Sequence, residues 1–382
     1  MEVKVIGSTK VGYNLPTNEA IDFAGKSAGI CYMPEDLQTL FSEDSKKTER
    51  RAKQTLVSGH HSVFDHPTYN LALSGIPKIL AMILNNEGMY TTSEKSARYT
   101  KMEPSEEEKE LYEKWIEKFE AKIKEVYPEM ADKQTRKLAQ ENARGLISIF
   151  TPATTMEYTV SFRQLNYIVN WFKDYINNEP DTGFSKQLKP YLKEFVESVS
   201  YLIVPELNSD VKERRLSIFD TSKEHIEYFG EVYSTTYLGT FSQFAQAQRH
   251  RTLQYRISIP EEQVFYVPLI IRNTELEEEW LKDISFLAEF YPQGMLIRIN
   301  ERGTVENFVL KCKERLCGCA QLEIMLQTKE IMDKYVEQTK DTYQEIYEYL
   351  KPYSNGVRCT FKGWKCSSPC IWGAKNSMTR LI

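Results

Sequence analysis

Apolar and polar positions along this chain repeat in two rhythms. Val3 to Ile6 and Thr68 to Leu73 follow a period of two, which predicts short half-buried strands. Thr17 to Tyr32 carries Ile21, Phe23, Ala24 and Ala28 at helical spacing, and a second helix is expected from Pro77 to Asn85. Pro104 and the capping box Ser105-x-x-Glu108 start a long helix. Its Leu111, Trp115, Phe119 and Ile123 recur every four residues, a stripe that reads as core. A helix from Asp132 to Ile149 carries Arg144, an ordered stretch runs from Tyr158 to Phe172, and an amphipathic helix closes the region from Phe184 to Leu202. Val204 to Asp210 reads as a linker.

Past the linker the order returns. His225-Ile226-Glu227-Tyr228-Phe229 parallels His60 to Phe64, a strand-like run follows from Val232 to Tyr237, and then a helix is expected to carry Arg249-His250-Arg251. Glu275 to Phe290 reads as a further helix. The recurrence predicts a tandem duplication, with copies at 1–205 and 211–382. The fold class expected is α+β, each copy a mostly antiparallel sheet packed with helices.

The 382 residues suffice for two cores. With 49 basic and 54 acidic residues the net charge is -5, which disfavours a general nucleic-acid or membrane-surface role, so any anion site must be local. No apolar run reaches the ~20 residues of a spanning helix. The N-terminus lacks a signal-peptide layout, and a cytoplasmic setting is expected.

The local candidate is Gln246 to Ser258, where two arginines flank a histidine. Arginine keeps its charge, and its planar fork matches a phosphate or a pyrimidine edge, which suggests nucleotide or dinucleotide binding. Residue types alone leave a solvated basic helix face as the alternative.

The Arg-His-Arg run followed by Ser258 resembles the signature of the flavin-dependent thymidylate synthases. Here the serine comes one residue sooner, and Ile259, Pro260 and Glu261 stand where the family has Gly-Arg-Tyr. The missing half resembles Glu94-Lys95-Ser96-Ala97-Arg98-Tyr99 in the first copy, where Asn86, Glu87 and Gly88 occupy the place of Arg-His-Arg. His60-x-x-x-Phe64-x-His66 adds to the likeness, and Phe265-Tyr266-Val267-Pro268 resembles the family's strand entry after the signature, so a strand is expected there. So does Arg315 with Ala320-Gln321-Leu322-Glu323-Ile324; the matching arginine place in the first copy is Phe172.

The resemblance implies a tetrameric enzyme whose nucleotide sites are shared between subunits. Carried over, the second copy keeps Gln246, Arg249 and Arg315, and the first keeps Ser96, Ala97, Arg98 and Arg144. Each copy has lost what the other retains. The expectation is a pseudo-dimer with one complete site and one blind pairing, and a homodimer acting as a pseudo-tetramer. Substitution of Asn86 or Glu87, in the blind pairing, is expected to matter little.

Arg315, with Arg249, would be catalytic, stabilising charge on the pyrimidine ring as its C5 attacks a one-carbon unit. Ser96, Arg98 and Arg144 would hold the phosphate. Arg249, His250 and Arg251 would face the flavin, and His60, Glu94, Ser161 and Arg163 would also contact it, Ser161 replacing the family's Asn. The resemblance further implies FAD as hydride carrier, methylenetetrahydrofolate as carbon donor, NADPH as electron source and dUMP or a related pyrimidine nucleotide as substrate. His66 and His225 read as structural.

Of seven cysteines, six fall between Cys312 and Cys370, which fits a reducing compartment better than a disulfide frame. Some members of the synthase family carry a similar tail. Cys317, Cys359, Cys366 and Cys370 would suit a structural zinc, with buried free thiols as the alternative. Helical spacing would put Cys312, Arg315 and Cys319 on one face. The function expected is reductive methylation of dUMP at C5. The alternatives are a degenerate paralogue that binds a pyrimidine nucleotide without turnover, an enzyme alkylating a different pyrimidine nucleotide, or a purely structural duplicated scaffold.

Overall fold

Capping and alternation set the elements where the sequence places most of them. The computed structural model describes residues 1–9, 17–35, 37–95, 102–208, 213–220, 225–366 and 370–382. The elements in the first half of the chain are β1 (Glu2–Ser8), α1 (Thr17–Tyr32), α2 (Leu37–Phe41), α3 (Ser45–Val57), β2 (Thr68–Ile76), α4 (Lys78–Leu84), β3 (Tyr90–Glu94), α5 (Glu106–Val126), α6 (Asp132–Ala143), β4 (Thr154–Ser161), α7 (Phe162–Asn178) and α8 (Gly183–Ser198). There follow β5 (Tyr228–Phe229), β6 (Val232–Thr240), α9 (Phe241–Ala247), β7 (Gln254–Ser258), α10 (Glu275–Phe286), β8 (Leu296–Thr304), α11 (Val305–Arg315), α12 (Leu322–Thr339), α13 (Gln344–Ser354) and α14 (Gly373–Asn376). Among the described residues no helix is long and apolar enough to cross a membrane.

The chain divides into two compact units that do not follow sequence order. One comprises Met1–Lys95 with Phe150–Ser217, and the other Ser96–Ile149 with Ile218–Ile382. The segment carrying α5, α6 and Arg144 is thus part of the second unit, although it precedes the linker. Each unit holds one four-stranded antiparallel sheet. The strand orders are β1-β2-β4-β3 and β5-β6-β8-β7, the same arrangement in both.

In the first unit, the buried positions of β2 and β4 face one another as Tyr69 with Val160, Leu71 with Tyr158, and Leu73 with Met156. Such cross-strand apolar pairs are what fixes the register. Gly75, at φ 62°, absorbs the register shift between Leu73 and Ile76. Phe172 of α7 is fully buried and meets Phe195 of α8 at 5.4 Å between ring centroids.

In the second unit, β6 and β8 pair along their whole length, from Val232 opposite Thr304 to Thr240 opposite Leu296. The Ser105 capping box forms as expected, with the Ser105 backbone N–H donating to Glu108 at 2.8 Å. Of the predicted core stripe, Trp115, Phe119 and Ile123 are fully buried. Trp115 stands edge-on to Trp280 at 4.9 Å and donates its Nε1–H to Asp283 at 2.8 Å, which docks α5 on α10.

Three local expectations are corrected. Arg249, His250 and Arg251 follow α9 in a turn instead of riding on a helix, because α9 ends at Ala247. Helix α11 stops at Arg315, so Cys319 lies beyond it and shares no helical face with Cys312. Phe265 to Pro268 contributes only an isolated bridge, Phe265 to Met295.

Candidate functional site

The second unit gathers a polar cluster at the ends of five elements. Strand β6 ends at Thr240, whose Oγ1 accepts the Gln243 N–H at 3.0 Å and so caps α9. That cap orients Gln246 at the other end of the short helix. Helix α11 ends at Arg315, where a cation also complements the helix dipole. The Arg315 guanidinium donates Nε–H to His250 Nε2 at 2.7 Å and Nη2–H to the Gln246 carbonyl at 3.0 Å. Arginine can only donate, so His250 is neutral with its proton on Nδ1. Burial, then the charges of Arg315 and Lys311, lower the His250 pKa to about 2.

Arg144, 5% exposed, follows α6 and donates Nη2–H to Gln321 Oε1. The same oxygen accepts Nε2–H of Gln246. Gln321 is the N-cap position of α12, and Glu323 lies in that helix's first turn. Glu323 accepts the Thr240 backbone N–H and hydroxyl, each at 2.9 Å, tying the start of α12 to the cap of α9. Burial raises the Glu323 pKa to about 7, against the opposing pull of the Thr240 bonds and Arg144. The result is a donor-rich cluster with one carboxyl that titrates near neutrality.

The structure therefore brings together Arg144, Gln246, His250 and Arg315 from the residues singled out in the sequence. Arg249 is half-buried in the adjoining turn and Arg251 is exposed. Ser96, Ala97 and Arg98 lie outside the described residues. The sequence reading passed over Gln321, Glu323 and Thr240. The signal for the first two was present in the Ala-Gln-x-Glu segment, of which only Arg315 was given a role.

The remaining candidates lie in the first unit. Glu94 is ion-paired with Lys78 and accepts Asn85 Nδ2–H at 3.3 Å. Ser161 caps α7 by accepting the Gln164 N–H at 3.1 Å, and donates to Asp65 at 2.7 Å. Asp65 also pairs with Arg163. His60 is exposed and lines a cavity of about 480 Å³ whose wall includes Lys47, Arg50 and Arg51, with Glu35 and Glu43 beside them.

Residues 16–173 match the thymidylate synthase complementing protein family. That is the family the sequence resembles. The match spans the places of His60, Glu94, Ser96, Arg98, Arg144, Ser161 and Arg163, and stops short of Gln246 and Arg315. No curated protein matches the chain. Similar solved structures include the flavin-dependent thymidylate synthase ThyX from Helicobacter pylori complexed with FAD and dUMP, at 15% identity and TM-score 0.31, covering 54% of this chain and 95% of that one. A second H. pylori ThyX structure with FAD and dUMP has 15% identity and TM-score 0.32 over the same shares. The UMP/dUMP methylase PolB from Streptomyces cacaoi, bound with 5-Br dUMP, has 14% identity and TM-score 0.35, covering 54% and 92%.

Within the stretch matching the thymidylate synthase complementing family, Asn86 and Glu87 form a clasp. Glu87 is fully buried, pairs with Arg214, and accepts the Ser217 N–H at 2.7 Å; Asn86 Nδ2 donates to Ser217 Oγ at 2.9 Å. Arg214 in turn stacks on Trp171 at 3.5 Å from the ring centroid. This corrects the expectation that Glu87 is dispensable, because a buried carboxylate with these partners holds segment 214–217 in place. The late-arginine place, Phe172, is apolar core.

The zinc expectation finds no support. Among the described residues no group of three or more His, Cys, Asp or Glu is arranged to hold a metal ion. Cys317 is buried and its Sγ accepts the Cys319 N–H at 3.4 Å; Cys370 Sγ accepts the Gly373 N–H at 3.3 Å; Cys359 and Cys366 are exposed. Cys317 and Cys370 accept local backbone N–H groups, while burial, then the neighbouring Cys366, Cys370 and Cys317 thiols, push the Cys359 pKa up.

Proposed function

We propose that this protein is a flavin-dependent enzyme that alkylates C5 of a pyrimidine nucleotide, dUMP by preference, with methylenetetrahydrofolate as carbon donor and NADPH as electron source. The observation that supports it is the Arg144–Gln321–Gln246–Arg315 cluster of the second unit. It joins residues at the family's nucleotide-binding places from before and after the linker. Arg315, oriented by His250 and the Gln246 carbonyl, would face the ring and stabilise negative charge developing on it. Arg144 would neutralise the phosphate together with Ser96, Ala97 and Arg98. Arg249 and Arg251 add donors at the same turn. Neutral His250 serves as an acceptor that holds Arg315, not as an acid.

Flavin contacts are proposed for His60, Glu94, Ser161 and Arg163, all inside the family match, and for the turn Arg249 to Arg251. The cavity beside His60 offers Lys47 and Arg50 to an anionic group, while Arg51 is paired with Glu43 at 2.7 Å. When bound, FAD would supply hydride transfer, which none of these side chains can perform. Assembly as a homodimer and descent from a tandem duplication belong to the same proposal. The identical strand order of the two sheets supports the duplication.

A second reading, nucleotide binding without turnover, is favoured by Ser161 and Arg163, which are already engaged by Asp65. Purified protein separates the two. Yellow protein that releases tritium from C5-labelled dUMP supports the enzyme, and colourless protein that still binds dUMP supports the binding module. Arg315→Ala and Arg98→Ala are each expected to abolish dUMP binding; full affinity in either variant would remove the proposed site.

A further inference from the structure

The chain between Arg315 and Gln321, two members of the polar cluster, is a short loop against which the C-terminal tail packs. Arg358 N–H donates to the Leu316 carbonyl at 2.7 Å. The buried Arg380 donates Nη2–H to the Ala320 carbonyl at 2.5 Å and Nη1–H to the Ile382 carbonyl at 2.7 Å. Gly318 is what lets the tail come this close. A Cβ there would meet Ser377 Oγ at 2.6 Å, Trp372 Cδ1 at 3.2 Å and Cys370 Sγ at 3.3 Å. Loop and tail both belong to the second unit.

Thiols gather at this contact. Cys317 Sγ accepts the Cys319 N–H at 3.4 Å, and Cys370 Sγ lies beside Gly318, the residue between them. Burial, then the neighbouring Cys317 and Cys370 thiols, push the Cys319 pKa up. Access and position narrow the choice of partners. Cys312 is fully buried in α11, Cys317 is buried with its sulfur engaged, and Cys31 belongs to the first unit. Cys359 and Cys366 are exposed on the tail, so a bond between them would stay within it. That leaves Cys319, exposed on the loop, and Cys370, half-buried on the tail.

We propose that Cys319 and Cys370 are an oxidative modification site, joining in a disulfide that pins the tail to loop 316–321 and stiffens the placing of Arg315 and Gln321. Its effect on a nucleotide rests on the site reading above; the bond itself does not. A low-molecular-weight disulfide, such as oxidised glutathione, is the oxidant. One cysteine attacks it as thiolate and releases the first glutathione thiol, and the other cysteine then displaces the second glutathione from the mixed disulfide. Two protein thiols are oxidised, one glutathione disulfide is reduced, and the two cysteine protons pass to the two glutathione sulfurs. The raised Cys319 pKa keeps its thiolate scarce, so the bond forms slowly. The same property makes Cys319 a poor leaving group, so the bond is also slow to open.

The test is incubation of the full chain in mixtures of reduced and oxidised glutathione, followed by alkylation, digestion without reduction and mass spectrometry. A peptide pair linked through Cys319 and Cys370 is expected in wild type and absent from Cys370→Ser. Calorimetric titration with dUMP reads the consequence. Preorganisation should make the oxidised chain bind roughly 3- to 10-fold more tightly than the reduced one, and Cys370→Ser should bind alike under both conditions. If Cys370→Ser does not fold by circular dichroism, Cys319→Ser gives the same comparison. A different pairing, glutathione adducts without the internal bond, a bound metal ion that shields the thiols from alkylation, or a linked chain with unchanged dUMP affinity overturns the inference and leaves the nucleotide site standing. The site reading fails separately: a chain that forms the bond, melts higher when oxidised and binds dUMP in neither form overturns that reading and supports the bond.

Discussion

Arg315 and His250 meet through a single hydrogen bond of 2.7 Å from Nε–H to Nε2, and that bond requires an uncharged imidazole. The lowered pKa, about 2, keeps the ring neutral at every pH at which the protein would be assayed. His250→Leu removes this acceptor from the Arg315 guanidinium. Affinity for dUMP should fall roughly tenfold, consistent with about 1.4 kcal/mol for a charge-assisted bond. For wild type, the His250 ring resonances followed by NMR should show no titration between pH 5 and 9; a midpoint near 6.5 in those resonances would show that the ring titrates normally.

Glu323 makes an opposite kind of pH statement. Its folded pKa of about 7 lies above the ordinary 4.5, with Arg144 and Tyr266 as its charged and titratable neighbours. Below pH 4.5 both folded and unfolded chains carry the proton. From 4.5 to 7 the unfolded chain releases it while the folded carboxyl retains it, so this group's contribution to stability falls as pH rises and stays low above 7. Glu323→Gln should remove that component. Melting curves at pH 5 and 7.5 are expected to differ less for the variant than for wild type, and an unchanged difference would count against the assignment.

Lys311 and Glu301 form an ion pair at 2.6 Å with both side chains fully buried, and Tyr233 and Tyr237 donate to the same carboxylate at 2.7 and 2.8 Å. Removing one partner strands the other. Lys311→Met alone should lower stability by about 3–5 kcal/mol, while adding Glu301→Gln should recover a large part of it. Urea denaturation of the two variants makes the comparison, and equal losses would show that the pair is not the source.

The Glu87 clasp predicts a separation of stability from binding. Glu87→Ala leaves Arg214 and the Ser217 N–H without their carboxylate and should cost about 3–5 kcal/mol. Its dUMP affinity at a temperature where the variant is folded should match wild type. A large loss of affinity with unchanged melting would reverse this assignment.

Local chemistry was legible in the sequence wherever neighbours along the chain decide the outcome. The Ser105 box, the limits of α1 and the buried stripe of α5 follow from capping and helical period, which act within a few residues. The Arg-His-Arg helix was misplaced because its residues favour a helix well enough, while the cap at Thr240 starts α9 early and the strand β7 ends it early. Glu87 was undervalued for a related reason: its partners Arg214 and Ser217 lie far along the chain.

The sequence by itself determined the match to the thymidylate synthase complementing protein family over residues 16–173, the residue types of the polar cluster, and the two-sheet composition of the fold. Only the tertiary structure decided that Arg144, from before the linker, lies within one compact unit with Gln246 and Arg315, and that Gln321 joins two of them. The reason is physical. Hydrogen-bond polarity and burial are properties of atoms brought together across the chain, and no local pattern encodes which way an amide must point.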